Sequence, residues 1–353
     1  MTTSQWDTIK RAARLEKLRQ VPLALIIDSP WIPGYVGVNH LDFFLDPQIW
    51  FQSHRQIHRE FPDIIFVPGW WLEYGMAAEP SVLGSKIKFW PNNTPSECHM
   101  LFNIEDVDQL AGYEVEADGF MALTLHRLRM QRQQVLDTGE AFRMATSRGP
   151  MCTAGFARNT SDFMIDLIEK PAWAHKLLDL STRIIIDWLK AQARAMGPTV
   201  EGIFVLDDIV GFVNEEYYKE FCHPYLKRIC DAFPPDWVKL YHNDASIEAC
   251  LEHLPDAGFN LLNWGKQTDI ADVKRRVGGR MCLMGNVNPL EVGVRGTPGE
   301  VRAATLAVLE KSGGEGIVLS VGGGVSPGMP RQNIQAMQAA LAEFNQAHFG
   351  LRR

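Results

Sequence analysis

The sequence has no excess of positive charge. Its 35 lysine and arginine residues are outnumbered by 42 aspartates and glutamates, which gives a formal net charge of -7. A chain of this sign has no electrostatic basis for binding nucleic acid or an anionic membrane. We therefore expect a small-molecule ligand, and neither nucleic acid nor a membrane surface as a partner.

The sequence also has little that would direct it to a membrane or to an oxidising compartment. The start, MTTSQWDTIKRAARLEKL, has no apolar core of a secretory signal, and no apolar run reaches the length of a transmembrane helix. Six cysteines are scattered without a C-x-x-C pair, which is typical of reduced, buried thiols. These absences predict a cytoplasmic protein without a disulfide framework.

Short apolar runs alternate regularly with helix-period stretches along the chain. Eight runs have the character of buried strands: residues 21–28, 62–71, 141–150, 201–209, 237–244, 259–265, 280–289 and 316–324. Repeated strand-then-helix units favour a parallel sheet, and eight of them favour a closed α/β barrel, the (β/α)8 TIM barrel. No G-x-G-x-x-G follows the first run, which disfavours a dinucleotide-binding sheet.

The composition is that of an ordinary globular protein, with 46% hydrophobic residues. We therefore predict a single barrel domain over residues 1–353, since such barrels routinely reach this length as one domain. Residues 1–20 are expected to form an N-terminal helix. Residues 29–60 and 70–140 are less periodic, and we expect loop-rich insertions there that fold over the barrel mouth.

Catalytic residues of (β/α)8 barrels lie where the strands end. The polar and aromatic residues at the predicted strand ends are Asp28, Trp70, Trp71, Arg148, Asp207, Asp208, His242, Asp244, Asn263, Trp264, Asn286, Asn288 and Ser320. Several have structural explanations. Asp28 could cap a turn, Arg148 could pair with a core carboxylate, and Asn288 could bond to loop backbone.

The segment WVKLYHNDAS places a histidine and a carboxylate one residue apart at a strand end. Because strand side chains alternate, His242 and Asp244 are expected to point to the same side and Asn243 to the other. The pair could be two metal ligands, a base with its orienting carboxylate, or a hydrogen-bonded structural element. Asp207 and Asp208 end the preceding strand and would add oxygen donors nearby.

Aromatic residues are frequent in the N-terminal third of the chain. Most are expected in the core, but a few could line an apolar cavity for an aryl or quaternary ammonium group. Among them, Trp31 follows the first predicted strand, and Trp70 and Trp71 end the second. We predict that these three form the walls of a substrate site.

The C-terminal half resembles the uroporphyrinogen decarboxylase superfamily. The segments that carry the resemblance are MCLMGNVNPLEVGVRGTPGEV, LSVGGGVSPGMPRQNIQAM, FVLDDIVGFVNEEYYKEF and YHNDAS. The resemblance covers about residues 145 to 345 well and implies the (β/α)8 barrel. The arginine-rich loop with which true uroporphyrinogen decarboxylases bind substrate carboxylates is replaced by DSPWIPGYVG, so porphyrinogen decarboxylation is disfavoured.

The superfamily also contains corrinoid-linked methyltransferases, some of which hold zinc through H-x-C and a later cysteine. At these cysteine positions this chain has Asp244 and Gly323. The resemblance therefore leaves two alternatives. Either the metal site is lost and His242 and Asp244 form a hydrogen-bonded pair, or a harder site, with zinc as the candidate metal, is built from His242, Asp244 and either Asp207 or Asp208. Of the two aspartates, we predict Asp207 as the metal ligand.

The resemblance implies a corrinoid-dependent methyltransferase, the demethylase component that transfers a methyl group from a small methoxylated aromatic or methylated amine to a corrinoid. His242, Asp244 and Asp208 would be catalytic. The substrate-binding residues would be Trp31, Trp70, Trp71, Asn286, Arg148 and Glu79, the last by analogy with an E-A-x-x-L-G segment of the family. No corrinoid-binding D-x-H-x-x-G motif occurs, so free cobalamin or a separate corrinoid carrier protein would bring the cofactor.

Two other functions remain open from the sequence. One is a decarboxylase or lyase on a non-porphyrin small molecule, which would use Asp28, Arg148 and His242 without metal. The other is a catalytically inactive binding subunit that keeps the barrel and has lost the zinc cysteines. The sequence does not identify the substrate, and a homodimer is one assembly compatible with it.

Overall fold

All eight apolar runs form strands of one parallel barrel, so the predicted (β/α)8 TIM barrel is confirmed. The structure is a computed structural model that describes residues 1–110 and 112–350. The barrel strands are β1 (Ala24–Ile26), β2 (Ile65–Val67), β5 (Met144–Arg148), β6 (Gly202–Leu206), β7 (Val238–Asn243), β8 (Leu261–Trp264), β9 (Cys282–Val287) and β10 (Ile317–Val321). Two further strands, β3 (Lys86–Trp90) and β4 (Asn93–Cys98), form an antiparallel hairpin.

Helices connect and surround these strands. The longer ones are α1 (Thr3–Ala13), α4 (Pro47–Glu60), α6 (Gly119–Leu136), α7 (Pro150–Arg158), α8 (Thr160–Glu169), α9 (Pro171–Met196), α11 (His223–Asp231), α13 (Ile270–Val277), α14 (Pro298–Ser312) and α15 (Arg331–Phe349). The short ones are α2 (Ile32–Val36), α3 (His40–Leu45), α5 (Ala78–Val82), α10 (Glu215–Tyr217) and α12 (Leu254–Ala257). None of the described helices is both long and apolar enough to cross a lipid bilayer.

The barrel wall is continuous through most of its circumference. Strands β5 to β10 pair in sequence order, and β1 pairs with β2. Bridges from Leu23 to Leu319 and from Ile26 to Gly324 connect β1 to β10. Between β2 and β5, within the described residues, no strand ladder is formed, and Gln192 of α9 instead bonds to both the N–H and the carbonyl of Thr146. Among the described strands, the wall is therefore open between β2 and β5.

The barrel interior is filled by apolar side chains that alternate along each strand with side chains facing the helices. The inward set is Ala24, Ile26, Ile65, Val67, Met144, Phe204, Leu206, Val238, Leu240, Leu261, Cys282, Met284 and Val318. Helix α1 closes the amino-terminal end of this interior with Trp6, whose indole donates to the Glu201 carboxylate at 2.8 Å. A chamber can therefore open only at the other end, where the strands finish.

The two segments predicted as loop-rich insertions are more regular than expected. Residues 32–60 are largely helical, because Asp46 caps α4 and Pro47 occupies its first turn, and this helix is the crossover from β1 to β2. Residues 70–140 contain α5, the β3–β4 hairpin and α6. The predicted helix within residues 1–20 is present as α1, and Pro171 separates α8 from α9 as the sequence indicates.

Candidate active site

Polar side chains replace the apolar ones on the inner face of the barrel where the strands end. Along each strand, every second residue faces the same side, so the positions that follow the buried inward residues in steps of two also face the barrel interior. They are Asp28, Arg148, Asp208, His242, Asn263, Asn286 and Ser320. Parallel strands bring these seven residues to one end of the barrel.

His242 is held in one orientation by its neighbour on β8. Its Nδ1 lies 2.7 Å from Oδ1 of Asn263, and the Asn263 amide nitrogen donates to the carbonyls of Met284 at 2.8 Å and Val321 at 3.1 Å. Because both amide hydrogens are used, Oδ1 must face the imidazole as an acceptor. Nδ1 therefore carries a hydrogen, and Nε2 is the ring atom that faces the barrel mouth.

Two carboxylates lie opposite Nε2 of His242. Oδ2 of Asp244 is 3.6 Å away, and Oδ1 of Asp208 is 3.8 Å away. Asp208 is fixed in turn because its Oδ1 accepts the backbone N–H of Asp244 at 2.7 Å. The same-side arrangement of His242 and Asp244 that strand alternation predicts is therefore the arrangement in the structure.

The charges of these carboxylates decide the protonation of the histidine. Burial disfavours the imidazolium, but Asp244 and Asp208 outweigh this and raise the pKa of His242 to about 9. For Asp244, burial acts to raise the pKa, and the positive charges of His242 and Arg148 reverse this so that the pKa is lowered. Near neutral pH the site thus holds an imidazolium with Nε2–H directed at the mouth.

Asp207 does not belong to this group, and its prediction as a metal ligand is corrected here. Phe204 and Leu206 of β6 face the barrel interior, so alternation turns Asp207 outward. Its carboxylate accepts the N–H groups of Met151 at 3.3 Å and Cys152 at 2.8 Å in the first turn of α7. Burial raises the pKa of Asp207 to about 7, although these hydrogen bonds oppose the shift. Its position is that of a helix cap.

Asp28 is a further carboxyl group at the mouth. Among the described residues, no group hydrogen-bonds its buried Oδ1. Burial, followed by the charge of Glu73, raises the pKa of Asp28 to about 8. Glu73, which the sequence analysis missed, accepts the backbone N–H groups of Ser29 at 2.8 Å and of Gly75 and so ties the first two strand-end loops together. Only the fold brings Glu73 to this position.

Arg148 and Glu79 border a cleft beside the opening between β2 and β5. Glu79 accepts the backbone N–H of Arg148 at 2.8 Å and the Ser147 hydroxyl at 2.9 Å. Trp71 lines the same cleft and packs against Phe204 with ring centroids 5.7 Å apart. The cleft is therefore lined by an aromatic face, a carboxylate and a guanidinium.

The other two tryptophans predicted as substrate walls are packed elsewhere. Trp70 stacks on Phe51 and donates to Glu140 at 2.9 Å, on the helix side of the wall. Trp31 is buried and donates to the Met329 carbonyl at 3.1 Å. Adjacent residues of an extended chain face opposite ways, so Trp70 cannot share the inner face with Trp71. Trp31 and Trp70 are corrected to core residues.

The asparagines of the GNVNP segment have different environments. Asn286 is on the inner face, and its amide donates to the Thr268 carbonyl at 3.1 Å and the Gly265 carbonyl at 3.3 Å. Asn288 accepts the N–H groups of Leu290 and Glu291 and caps the turn after β9, which is the structural explanation given above for it. Asn286 can contact a ligand through its remaining oxygen, whereas Asn288 has a local structural role.

The residues present do not reproduce the zinc site that some corrinoid-linked methyltransferases build from H-x-C and a later cysteine. Within the described part of the chain, no three histidine, cysteine, aspartate or glutamate side chains are grouped to hold a metal ion. Gly323 stands beside Asp244, and a Cβ built on it would lie 2.2 Å from the Asp244 Oδ1. Its φ of +101° also favours glycine. The two positions of the expected cysteines are therefore neighbours, but the Asp244 carboxylate fills the space of the second.

Solved structures with the same architecture include a methyltransferase from Methanosarcina mazei. Its sequence is 20% identical to this one. The structural alignment covers 98% of this chain and 99% of the methyltransferase chain, with a TM-score of 0.79. A B12-independent methionine synthase from Shewanella sp. W3-18-1, solved with selenomethionine, is 11% identical and aligns with 85% of this chain and 87% of its own with a TM-score of 0.52. At these identities the likeness shows the shared barrel fold.

Several curated relatives are named uroporphyrinogen decarboxylase. The uroporphyrinogen decarboxylase of Methylococcus capsulatus is 26% identical over 279 residues, which is 76% of this chain and 77% of the relative. The enzyme of the same name from Danio rerio is 24% identical and covers 95% of this chain and 92% of its own. The model of the uroporphyrinogen decarboxylase (URO-D) family matches residues 6–344. The chain therefore belongs to the uroporphyrinogen decarboxylase family.

Proposed function

We propose that the protein is a methyltransferase that removes a methyl group from an oxygen atom of a small methoxylated substrate and passes it to a reduced corrinoid. His242 is the acid of this reaction, with Asp208 and Asp244 as the carboxylates that keep it protonated. The single observation that supports this most directly is the fixed imidazolium, which presents Nε2–H to the mouth between two carboxylates.

The role of His242 follows from the electron count. When the methyl carbon–oxygen bond breaks, the carbon leaves without the bonding pair, and the oxygen retains it. The reduced corrinoid, as the acceptor substrate, supplies the electron pair that takes up the methyl group. The departing oxygen then needs one proton, which Nε2–H of His242 donates, and positioned acids of this kind contribute roughly 10²–10⁴-fold to rates.

The chemistry of the leaving group separates oxygen donors from methylated amines. A quaternary ammonium leaves as a neutral amine and requires no proton. An imidazolium held at the mouth is therefore suited to an ether. Trp71, which is the one predicted tryptophan on the inner face, supplies an apolar wall for an aryl group.

A separate corrinoid carrier protein forms part of the proposal. The donor has to enter the barrel, and the acceptor must reach it through the mouth, because Trp6 and α1 close the opposite end. The macrocycle would then cover the rim formed by the strand-end loops. Free cobalamin can replace the carrier in an assay.

Methyl transfer from a panel of methoxyarenes and methylamines to chemically reduced cobalamin tests the proposal. The change in cobalamin absorbance reports the transfer for wild type, His242→Gln and the control His126→Gln, which alters an exposed histidine on α6. We expect transfer from methoxyarenes that falls at least 100-fold in His242→Gln and is unchanged in His126→Gln. Transfer from methylamines alone, or full activity of His242→Gln, would contradict the proposal.

A decarboxylase acting on a small non-porphyrin acid is the second candidate. It is supported by the names of the curated relatives and by Asp28, whose raised pKa keeps it protonated near neutral pH beside Arg148 and His242. Such an enzyme would release carbon dioxide without any corrinoid. Carbon dioxide release in the absence of cobalamin, lost in Asp28→Asn, would favour this function over methyl transfer.

A further inference from the structure

Arg148 is a half-buried cation that lines the same cleft as Trp71 and Glu79. Its backbone N–H is held by Glu79, but no described residue offers its side chain a hydrogen bond or an ion pair. Arg158, which is similarly sheltered, bonds to Asp166 at 2.7 Å and to the carbonyl of Phe102 at 2.9 Å. Arg276 is likewise bonded to Glu252. Because its N–H groups bond to no described residue, the guanidinium is free to bind an anionic ligand.

The carboxylates around Arg148 do not fill this role. Glu79, Asp208 and Glu73 act on it through their charges from beyond ion-pairing distance. Each of them already accepts backbone N–H groups, from Arg148, Asp244 and Ser29 respectively. They hold loops in place, and Arg148 lines the cleft together with Trp71.

We propose that Arg148 binds a carboxylate of the substrate, so that the methyl donor is a methoxylated carboxylic acid. A planar guanidinium with two parallel N–H groups fits a carboxylate in a bidentate pair, which no lysine reproduces. Trp71 would lie against the apolar body of the same molecule. That the bound acid donates its methyl group rests on the proposed function. That Arg148 binds the carboxylate does not.

Charge balance at the mouth is compatible with an anionic group next to Arg148. The neighbouring carboxyl of Asp28 is neutral near pH 7, because burial and Glu73 raise its pKa to about 8. His242 contributes a second positive charge within range of Asp28. An incoming carboxylate thus meets a cation that lacks an ion-pair partner, and one of the neighbouring carboxyl groups, that of Asp28, carries no charge.

The proposal is tested without any corrinoid by titration calorimetry, which measures the affinity of the protein for two matched probes, 4-methoxybenzoate and 4-methoxybenzamide. The wild type is expected to bind the acid roughly 10- to 100-fold more tightly than the amide, as charged hydrogen bonds of this kind contribute. Arg148→Gln should lose this preference, and Arg148→Lys should retain only part of it. Arg302→Gln, an exposed arginine paired with Glu343 on the outer helices, serves as the matched control. Circular dichroism melts confirm that each variant is folded.

The possible results are distinct. Equal binding of the two probes by the wild type, an undiminished preference in Arg148→Gln, or no saturable binding of the acid would each overturn the proposal. If the acid binds through Arg148 but neither probe nor any methoxy acid donates a methyl group to reduced cobalamin, the carboxylate subsite stands and the proposed methyl transfer fails.

Discussion

Two buried histidines of this protein, His242 and His54, differ in protonation state. His242 lies at the barrel mouth opposite two carboxylates, and its pKa is raised to about 9. His54 lies on α4 against the rings of Trp50 and Trp70, and burial lowers its pKa well below the usual value. The same side chain is therefore a cation in one place and neutral in the other. Burial alone favours the neutral form, and nearby negative charge is what reverses it.

The two histidines should have opposite effects on the pH dependence of folding stability, and the effect of His242 should be the larger. A histidine whose folded pKa is raised stabilises the folded state fully below the unfolded pKa of 6.5, and this contribution is lost as pH rises through about 9. The shift corresponds to about 3 kcal/mol. Urea unfolding between pH 6 and 10 should show this loss in wild type and not in His242→Gln. Parallel pH curves for the two proteins would contradict it.

Removing the carboxylates should make the mouth histidine resemble the buried one. In Asp208→Asn/Asp244→Asn, the pKa of His242 should fall below 6.5, because the two carboxylates that outweigh burial are then neutral amides and the hydrogen bond to Asn263 is the smaller opposing effect. At pH 8 the protonated fraction, and the proposed methyl transfer with it, should fall by roughly 30-fold or more. NMR titration of the imidazole gives the pKa. A pKa that stays near 9 in the double variant would show that these carboxylates are not the cause.

Displacing one carboxylate sterically should give a smaller effect. In Gly323→Ala the new Cβ would lie 2.2 Å from the Asp244 Oδ1 and displace that carboxylate, and the positive φ adds strain. We therefore expect a loss of about 1–2 kcal/mol in stability and a lower pKa of His242. Gly37→Ala is the matched control. Its φ of +79° gives the same backbone strain, but nothing lies within 4 Å of the added Cβ. Only the first variant should change the pKa.

The smallest expected effect concerns the buried histidine. Because the pKa of His54 is lowered in the folded state, the unfolded chain takes up the proton more readily, and stability falls as pH drops below 6.5. His54→Leu should remove about 1 kcal/mol of this loss at pH 5.5 while leaving methyl transfer unchanged. Unfolding curves at pH 5.5 and 7.5 measure it. A histidine on the surface, such as His126, should show no such difference when replaced by glutamine.

Much of this site could be predicted because strand alternation is a local rule. His242 and Asp244 are two residues apart at the end of a clear strand, so their shared orientation follows from the sequence. The choice between Asp207 and Asp208 could not be made, because every residue of the preceding strand GIFVL is buried and no polar alternation marks its faces. The inward face of β6 is defined only by packing in the barrel.

Other features depend on residues that are distant in the sequence. The order of aromatic residues does not say which rings point inward, so the sequence predicts one role for all three tryptophans. The structure packs Trp31 and Trp70 in the core and places Trp71 along the cleft. Arg148 was expected to have a core carboxylate as one alternative, and only the assembled structure shows that no described residue pairs with it. Glu73 carries no sequence signal beyond its charge, since its partners are loop N–H groups.

Closure of the barrel by Trp6 has a consequence for the order of events in the proposed reaction. The chamber is blind at that end, so donor and acceptor would share one entrance. A large planar acceptor resting on the rim would block the way in, and the small acid would have to bind first. Initial-rate patterns should then be those of a compulsory-order sequence, with the demethylated product trapped until the acceptor departs.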